Sequence, residues 1–120
     1  MIPVSDLKSM TDTVVSFCEE RDWDRFHNPK DLAIGICTEA GELLDLFRFL
    51  DPDQCRELMD SEAGRTKVSD ELADVLFFVL RFAQMNGIDL REALESKVSK
   101  NAEKYPVEKA RGSNRKYDEL

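Results

Sequence analysis

The chain has 120 residues, with 25 acidic against 17 basic side chains and a formal net charge of −8. That length suits one domain, and a monomer of this size buries only about two-thirds of its unfolded surface, so a core shared between copies would help it. The acidic balance argues against a DNA or RNA polymer as partner, which would want a basic face; a single small polyphosphate, bridged to carboxylates by a metal ion, stays compatible. Three widely spaced cysteines (Cys18, Cys37, Cys55) without a Cys-x-x-Cys pair, and one histidine, His27, point away from a disulfide framework or a zinc site and toward reduced thiols in a cytoplasm. The start, Met1 to Asp6, has no basic region followed by an apolar run, so no signal peptide is expected. The longest apolar run, Val75–Leu80, is far short of a membrane span.

In chain order the pattern is helical throughout. Ser5 is the expected N-cap of a first helix carrying Leu7, Met10, Val14, Phe17 and Cys18 at helical spacing to about Arg21. An aromatic-rich connection, Asp22–His27, follows. Asn28 then caps a second helix with Pro29 at its first position, running to about Leu50, where Asp51-Pro52-Asp53 breaks it. The charged stretch Gln54–Arg65 has room for a short helix. A long third helix spans about Thr66 to Asn86 and is closed by Gly87. Asp89 caps a fourth, Leu90 to about Lys104, which Tyr105-Pro106 stops. The expected fold is an all-α four-helix bundle in one domain, 1–120, with 106–120 as an extended C-terminal arm.

On a wheel of roughly 100° per residue, Leu32, Ile36, Leu43, Leu46, Phe47 and Leu50 share one face of the second helix. Glu39 lies within that face and Glu42 at its edge. The third helix repeats the arrangement: Val68, Leu72, Val75, Val79 and Phe82 form a stripe, with Glu71 and Asp74 beside it. Two helices thus aim an i, i+3 carboxylate pair inward. Buried carboxylates without partners are costly or hold their protons, and no basic residue lies on either stripe to pair with them. Divalent cations with oxygen ligands, Mg²⁺ or Mn²⁺, are the simplest compensation. A ferritin-type di-iron bundle would need Glu-x-x-His on two helices, which this chain lacks.

Glu39-Ala40-Gly41-Glu42 followed by Glu71-Leu72-Ala73-Asp74 resembles the E-x-x-E…E-x-x-D signature of MazG-type nucleotide pyrophosphohydrolases. The flanks resemble the dCTP pyrophosphatase branch of that superfamily. They are Arg21–Pro29 before the metal helix, Lys97–Val107 at the end of the fourth helix, and Arg111-Gly112-Ser113 with Lys116-Tyr117 in the tail. The resemblance implies Mg²⁺-dependent hydrolysis of a nucleoside triphosphate to monophosphate and pyrophosphate, with Mn²⁺ as a possible substitute. It implies Glu39, Glu42, Glu71 and Asp74 as metal ligands, with Glu39 and Glu71 catalytic and Glu39 orienting the water.

It further assigns the triphosphate to Lys97, Asn101, Lys104 and Tyr105. The first three lie at i, i+4, i+7 on one face of the fourth helix; an arginine stands at the position of Lys104 in relatives. Trp23, Phe49 and Phe78 are the flat candidates for the base, with His27 as a polar edge. Phe49 replaces a frequent tryptophan and Phe78 a tyrosine of some relatives. Phe77 and Phe82 are assigned to the core. The branch implies a homo-oligomer, a tetramer built as a dimer of dimers, cleaning the deoxynucleotide pool of dCTP or a 5-modified dCTP. A dUTP, broad NTP or phosphoribosyl-ATP pyrophosphohydrolase stays open, as does a non-enzymatic helical module with vestigial acidic pairs.

Overall fold

A computed structural model describes residues 6–120; among these there are six α-helices, two 3-10 turns and no strand. The chain divides into two compact units, Met1–Gly87 and Ile88–Leu120.

In the first unit, α1 (Leu7–Glu20) is capped by Asp6, whose carboxylate accepts from the Ser9 amide at 2.7 Å. The expected cap, Ser5, lies outside the described residues. A 3-10 turn, Asp24–Phe26, leads to α2 (Pro29–Asp45). Asn28 caps it by accepting from the Asp31 amide at 2.9 Å, and Pro29 fills the first helical position, where its missing N–H costs nothing. The helix stops short of Leu50. The amides of Leu46, Phe47 and Leu50 instead bond three residues back, a tightened turn. The cause is downstream: Asp51 is extended (φ −78°, ψ 171°), as a residue preceding proline prefers to be.

Asp51 then caps α3 (Pro52–Asp60) through a reciprocal capping box with Gln54. Ser61 caps α4 (Glu62–Met85) by accepting from the Gly64 amide at 3.0 Å. The long helix therefore starts before Thr66; the charged stretch Gln54–Arg65 holds the expected short helix, α3, and also the first turn of α4. Gly87 (φ 65°) follows the helix as expected.

α4 is the central rod. It packs against α1, α3 and, most extensively, α2. Its Val68, Leu80 and Ala83 are buried with Val14 and Cys18 of α1 and Leu32 of α2. Ile36, Leu43, Leu46, Phe47 and Leu50 are half-buried, in line with the predicted stripe. Leu72 is not: it is 56% exposed and, with Leu76 and Ser69, borders a shallow apolar groove of about 470 Å³ on the outside of α4. The helix is apolar over more of its circumference than one neighbour can cover.

The second unit holds α5 (Leu90–Lys104), capped by Asp89, and a single turn, α6 (Val107–Ala110). The tail is not the extended arm expected. After α6 and Gly112 it forms a 3-10 turn, Tyr117–Glu119, which sets Tyr117 edge-to-face on Tyr105 at 6.1 Å, with the Lys104 ammonium 4.8 Å above the Tyr117 ring. These contacts favour the folded-back tail.

Two glycines give opposite expectations. A Cβ on Gly64 would lie 2.2 Å from the Leu58 carbonyl oxygen, whereas one on Gly41, inside α2, meets nothing within 4 Å. Gly64→Ala should destabilise by about 1–3 kcal/mol by overpacking the α3–α4 junction, and Gly41→Ala should stabilise by about 0.5–1 kcal/mol through helix propensity. Urea unfolding of both variants checks the pair.

Candidate active site

α2 carries Glu39 and Glu42, α4 carries Glu71 and Asp74, and these two helices form the main packing contact of the first unit. Their apolar stripes draw the acidic pairs together across the crossing. One carboxylate oxygen each from Glu39, Glu42 and Glu71 lies within 4.8 Å of the others. Glu39 and Glu71 are half-buried, and Glu42 is exposed. Asp74 is exposed on the next turn of α4 and stands with Glu39 on the wall of the neighbouring cavity.

Two oxygens, Glu39 Oε2 and Glu71 Oε2, are shielded from solvent and have no hydrogen-bond partner. None of the ion pairs among the described residues reaches the cluster; the buried guanidinium of the helix pair, Arg81, is committed to Asp24. The protonation behaviour follows. A hydrogen bond shared with Glu42, then burial, then the charges of Glu42, Asp74 and Glu71 push the Glu39 carboxyl up to about 7. Burial, then a hydrogen bond and charge from Glu42 and the charge of Asp74, raise Glu71. Like charges held this close keep protons unless a cation replaces them. The donor set is all carboxylate oxygen and two of its atoms are orphaned, so the residues present fit a hard divalent cation.

Beside the carboxylates opens a cavity of about 460 Å³. Glu39 and Asp74 contribute to its wall, and the rest is mostly aromatic: Phe17, Trp23, Phe77 and Phe78. Phe17 packs edge-to-face on Trp23 at 5.5 Å and on Phe77 at 5.8 Å, and Phe77 meets Phe78 at 5.4 Å. Gly35 makes room for the Phe78 ring, since a Cβ there would come within 2.6 Å of it.

The structure thus brings Trp23 and Phe78 to the carboxylates. Phe77, assigned to the core as an aromatic on a helix, lines the cavity. His27 stands behind Trp23, ring centroids 6.1 Å apart, with its Nδ1 accepting from Arg81 Nε at 2.9 Å. Burial and the Arg81 charge lower its pKa, and an Nδ1 that accepts from Arg81 carries no proton. Phe49 lies in the turn after α2, 85% exposed beneath the Arg48 guanidinium, and is not on the cavity wall. Lys97, Asn101 and Lys104 are exposed on α5, and Tyr105 follows at its C-cap, all in the second unit.

Two residues escaped the sequence reading. Phe17 fits an ordinary α1 stripe, and nothing local tells which helix that stripe meets. Arg81 left a signal: a lone charge between Val75–Leu80 and Phe82-Ala83, in a stretch otherwise wholly apolar, needs buried partners.

The raised carboxyls set a pH dependence. Glu39 keeps its proton to about 7 when folded and loses it near 4.5 when unfolded. Between those values the folded state binds more protons, so without divalent cations this group's contribution to stability falls as pH rises through that window. Mg²⁺ binds the deprotonated cluster, so millimolar Mg²⁺ should raise the melting temperature at about pH 8 and far less at about pH 5. Thermal melts of wild type and Glu39→Gln check this; equal Mg²⁺ shifts at both pH values in wild type would contradict it.

Comparison with known proteins agrees with the geometry. The MazG-like family pattern matches residues 34–120, a span that contains Glu39, Glu42, Glu71 and Asp74. Human dCTP pyrophosphatase 1 is 35% identical over 118 residues, 98% of this chain and 69% of that protein. The mouse protein of the same name is 33% identical over the same extent. A crystal structure of a pyrophosphatase from Archaeoglobus fulgidus matches with a TM-score of 0.78 and 31% identity, covering 88% of this chain and 99% of that one. Matched over most of its length by the family pattern, and over nearly all of it by these relatives, the chain belongs to the MazG-like family.

Proposed function

We propose that this chain is a nucleoside triphosphate pyrophosphohydrolase that converts dCTP, or a 5-modified dCTP, and water to the monophosphate and pyrophosphate, so cleaning the deoxynucleotide pool in the cytoplasm. One observation carries the reading: three carboxylates with two orphaned, shielded oxygens adjoin an aromatic cavity wide enough for a nucleobase. The relatives named dCTP pyrophosphatase 1 support the substrate class.

Glu39, Glu42 and Glu71, with Asp74 beside them, would hold Mg²⁺. When bound, Mg²⁺ supplies charge neutralisation at the phosphate oxygens and acidifies water. The chain's own groups do the rest. Trp23 and Phe78 offer ring faces and edges to the base, Phe17 and Phe77 extend the aromatic wall, and the Thr13 hydroxyl beside them is spent on the Ser9 carbonyl. The base is therefore gripped by stacking and shape. Glu39 orients the water and takes its proton. The water oxygen bonds to the α-phosphorus, the bond from that phosphorus to the bridging oxygen breaks, and pyrophosphate leaves. Lys97, Asn101, Lys104 and Tyr105 contact the phosphates by their resemblance to the family's positions.

The working form is a homo-oligomer, a tetramer as a dimer of dimers. Leu72 and Leu76 on the open side of α4, 56% and 41% exposed, support the reading, since a further copy would take that apolar surface out of water.

Glu71→Gln keeps the size of the side chain and removes a shielded charge. It should cut kcat by about a hundredfold or more, equivalent to roughly 3 kcal/mol of lost transition-state stabilisation, while the far-UV circular dichroism stays helical. Pyrophosphate release from dCTP in Mg²⁺ measures it, and near-wild-type turnover in this variant would contradict the reading.

A further inference from the structure

Apart from the carboxylates, the first unit holds a second polar cluster, and the proposed chemistry does not use it. Arg81 of α4 is 1% exposed. Its guanidinium spends its donors on three partners: Nε–H on His27 Nδ1 at 2.9 Å, Nη1 on Gln84 Oε1 at 2.8 Å, and Nη2 on the Asp24 carboxylate. Gln84 is one helical turn away on the same helix. Asp24 and His27 belong to the connection between α1 and α2, so Arg81 ties that connection to α4.

The other polar contacts of the connection stay within it or reach the end of α1: the Phe26 and His27 amides donate to the Trp23 and Asp24 carbonyls, the Asp22 amide donates to the Glu19 carbonyl, and Arg25 pairs with Asp22. Asp22 adopts the left-handed region (φ 54°), which a residue with a side chain keeps only where its surroundings enforce it. The Trp23 amide donates to the Cys18 carbonyl at 3.1 Å, anchoring the backbone but not the indole. The indole is held by rings on two sides, Phe17 and the imidazole of His27. Arg81 grips the residue next to Trp23 and the ring that backs it. An arginine is always charged and can only donate, so His27 Nδ1 must carry a lone pair. The imidazole is thereby fixed in its Nε2–H form and in one orientation. Arg81 also lies i+4 from Phe77 and i+7 from Asp74, both of which line the cavity from α4. One buried fork therefore sets the spacing between the Trp23 wall and the α4 wall.

We propose that Arg81, acting through His27 and Asp24, is a positioning residue that holds the Trp23 ring at the aromatic cavity and so sets the affinity for the nucleobase. The inference rests on the reading above that the base enters this cavity. It predicts an effect on binding and not on the bond that breaks, because the base contact is the same in ground and transition states.

Arg81→Lys keeps a charge for Asp24 but loses the planar fork that reaches His27 and Gln84 together. The KM for dCTP should rise by about tenfold, the scale of one weakened base stack, with kcat within about twofold of wild type. Trp23 is the only tryptophan, so its emission should shift to the red and its quenching by acrylamide should increase before nucleotide is added. His27→Ala, which leaves the Arg81–Asp24 pair in place, should act in the same direction and serves if Arg81→Lys does not fold. Trp23→Ala separates the two levels. If it raises KM while neither other variant changes KM or Trp23 emission, the positioning role is overturned and the base reading stands. If Trp23→Ala leaves KM unchanged, the base reading fails and this inference with it. A fall in kcat at unchanged KM in Arg81→Lys would also overturn the proposal.

Discussion

The structure turns on a repulsion it does not relieve from within. Burial of Leu32 on one helix and of Val68 and Leu80 on the other, with Phe78 seated against Gly35, holds α2 against α4, because leaving such side chains in water costs more than any single polar contact returns. Glu39 sits inside one stripe and Glu71 beside the other. The packing that buries the stripes therefore brings Glu39, Glu42 and Glu71 within 4.8 Å of one another. Among the described residues no ion pair reaches them, and two of their oxygens find no donor. A fold selected for stability alone would place apolar residues there; carboxylates in such a place are characteristic of a site.

The second buried polar cluster of the same helix pair makes the contrast plain. Around Arg81 each donor group is matched, to His27, Gln84 and Asp24. A satisfied network of this kind rigidifies what it joins, here the connection that carries Trp23. The helix α4 thus bears a charge cluster that wants an external cation and, two turns on, one that is complete. The aromatic cavity lies beside both, with Asp74, Phe77 and Phe78 contributed by the stretch between them.

Much of this was legible in the sequence because it is local or periodic. Asn28-Pro29 marks the start of α2, Asp89 the start of α5 and Gly87 the end of α4, since capping and left-handed backbone depend on a few adjacent residues. The two acidic pairs stood out against their stripes, and helical geometry alone puts each pair on one face. What was hidden depends on which surfaces meet. Phe77 and Phe17 look like core residues on a wheel, and only the approach of α1 to α4 makes them a cavity wall. Leu72 belongs to the stripe by spacing but faces outward, because α4 is apolar over more of its circumference than α2 covers. The early end of α2 was obscured because Leu46, Phe47 and Leu50 continue the helical period through a turn. Its geometry is dictated from beyond it, by the extended Asp51 before Pro52. The tail reads as charged and open, and its return depends on Tyr117 meeting Tyr105, twelve positions away.

The central claim, that the convergent carboxylates of α2 and α4 are a divalent-cation site, is tested most directly by anomalous diffraction. The crystals would be of this protein, grown with Mn²⁺ and a non-hydrolysable dCTP analogue. The account predicts an anomalous peak at about 2 Å from oxygens of Glu39, Glu42 and Glu71, the distance expected of a small hard cation. A cluster free of anomalous density at saturating Mn²⁺, with manganese bound only elsewhere, would contradict it.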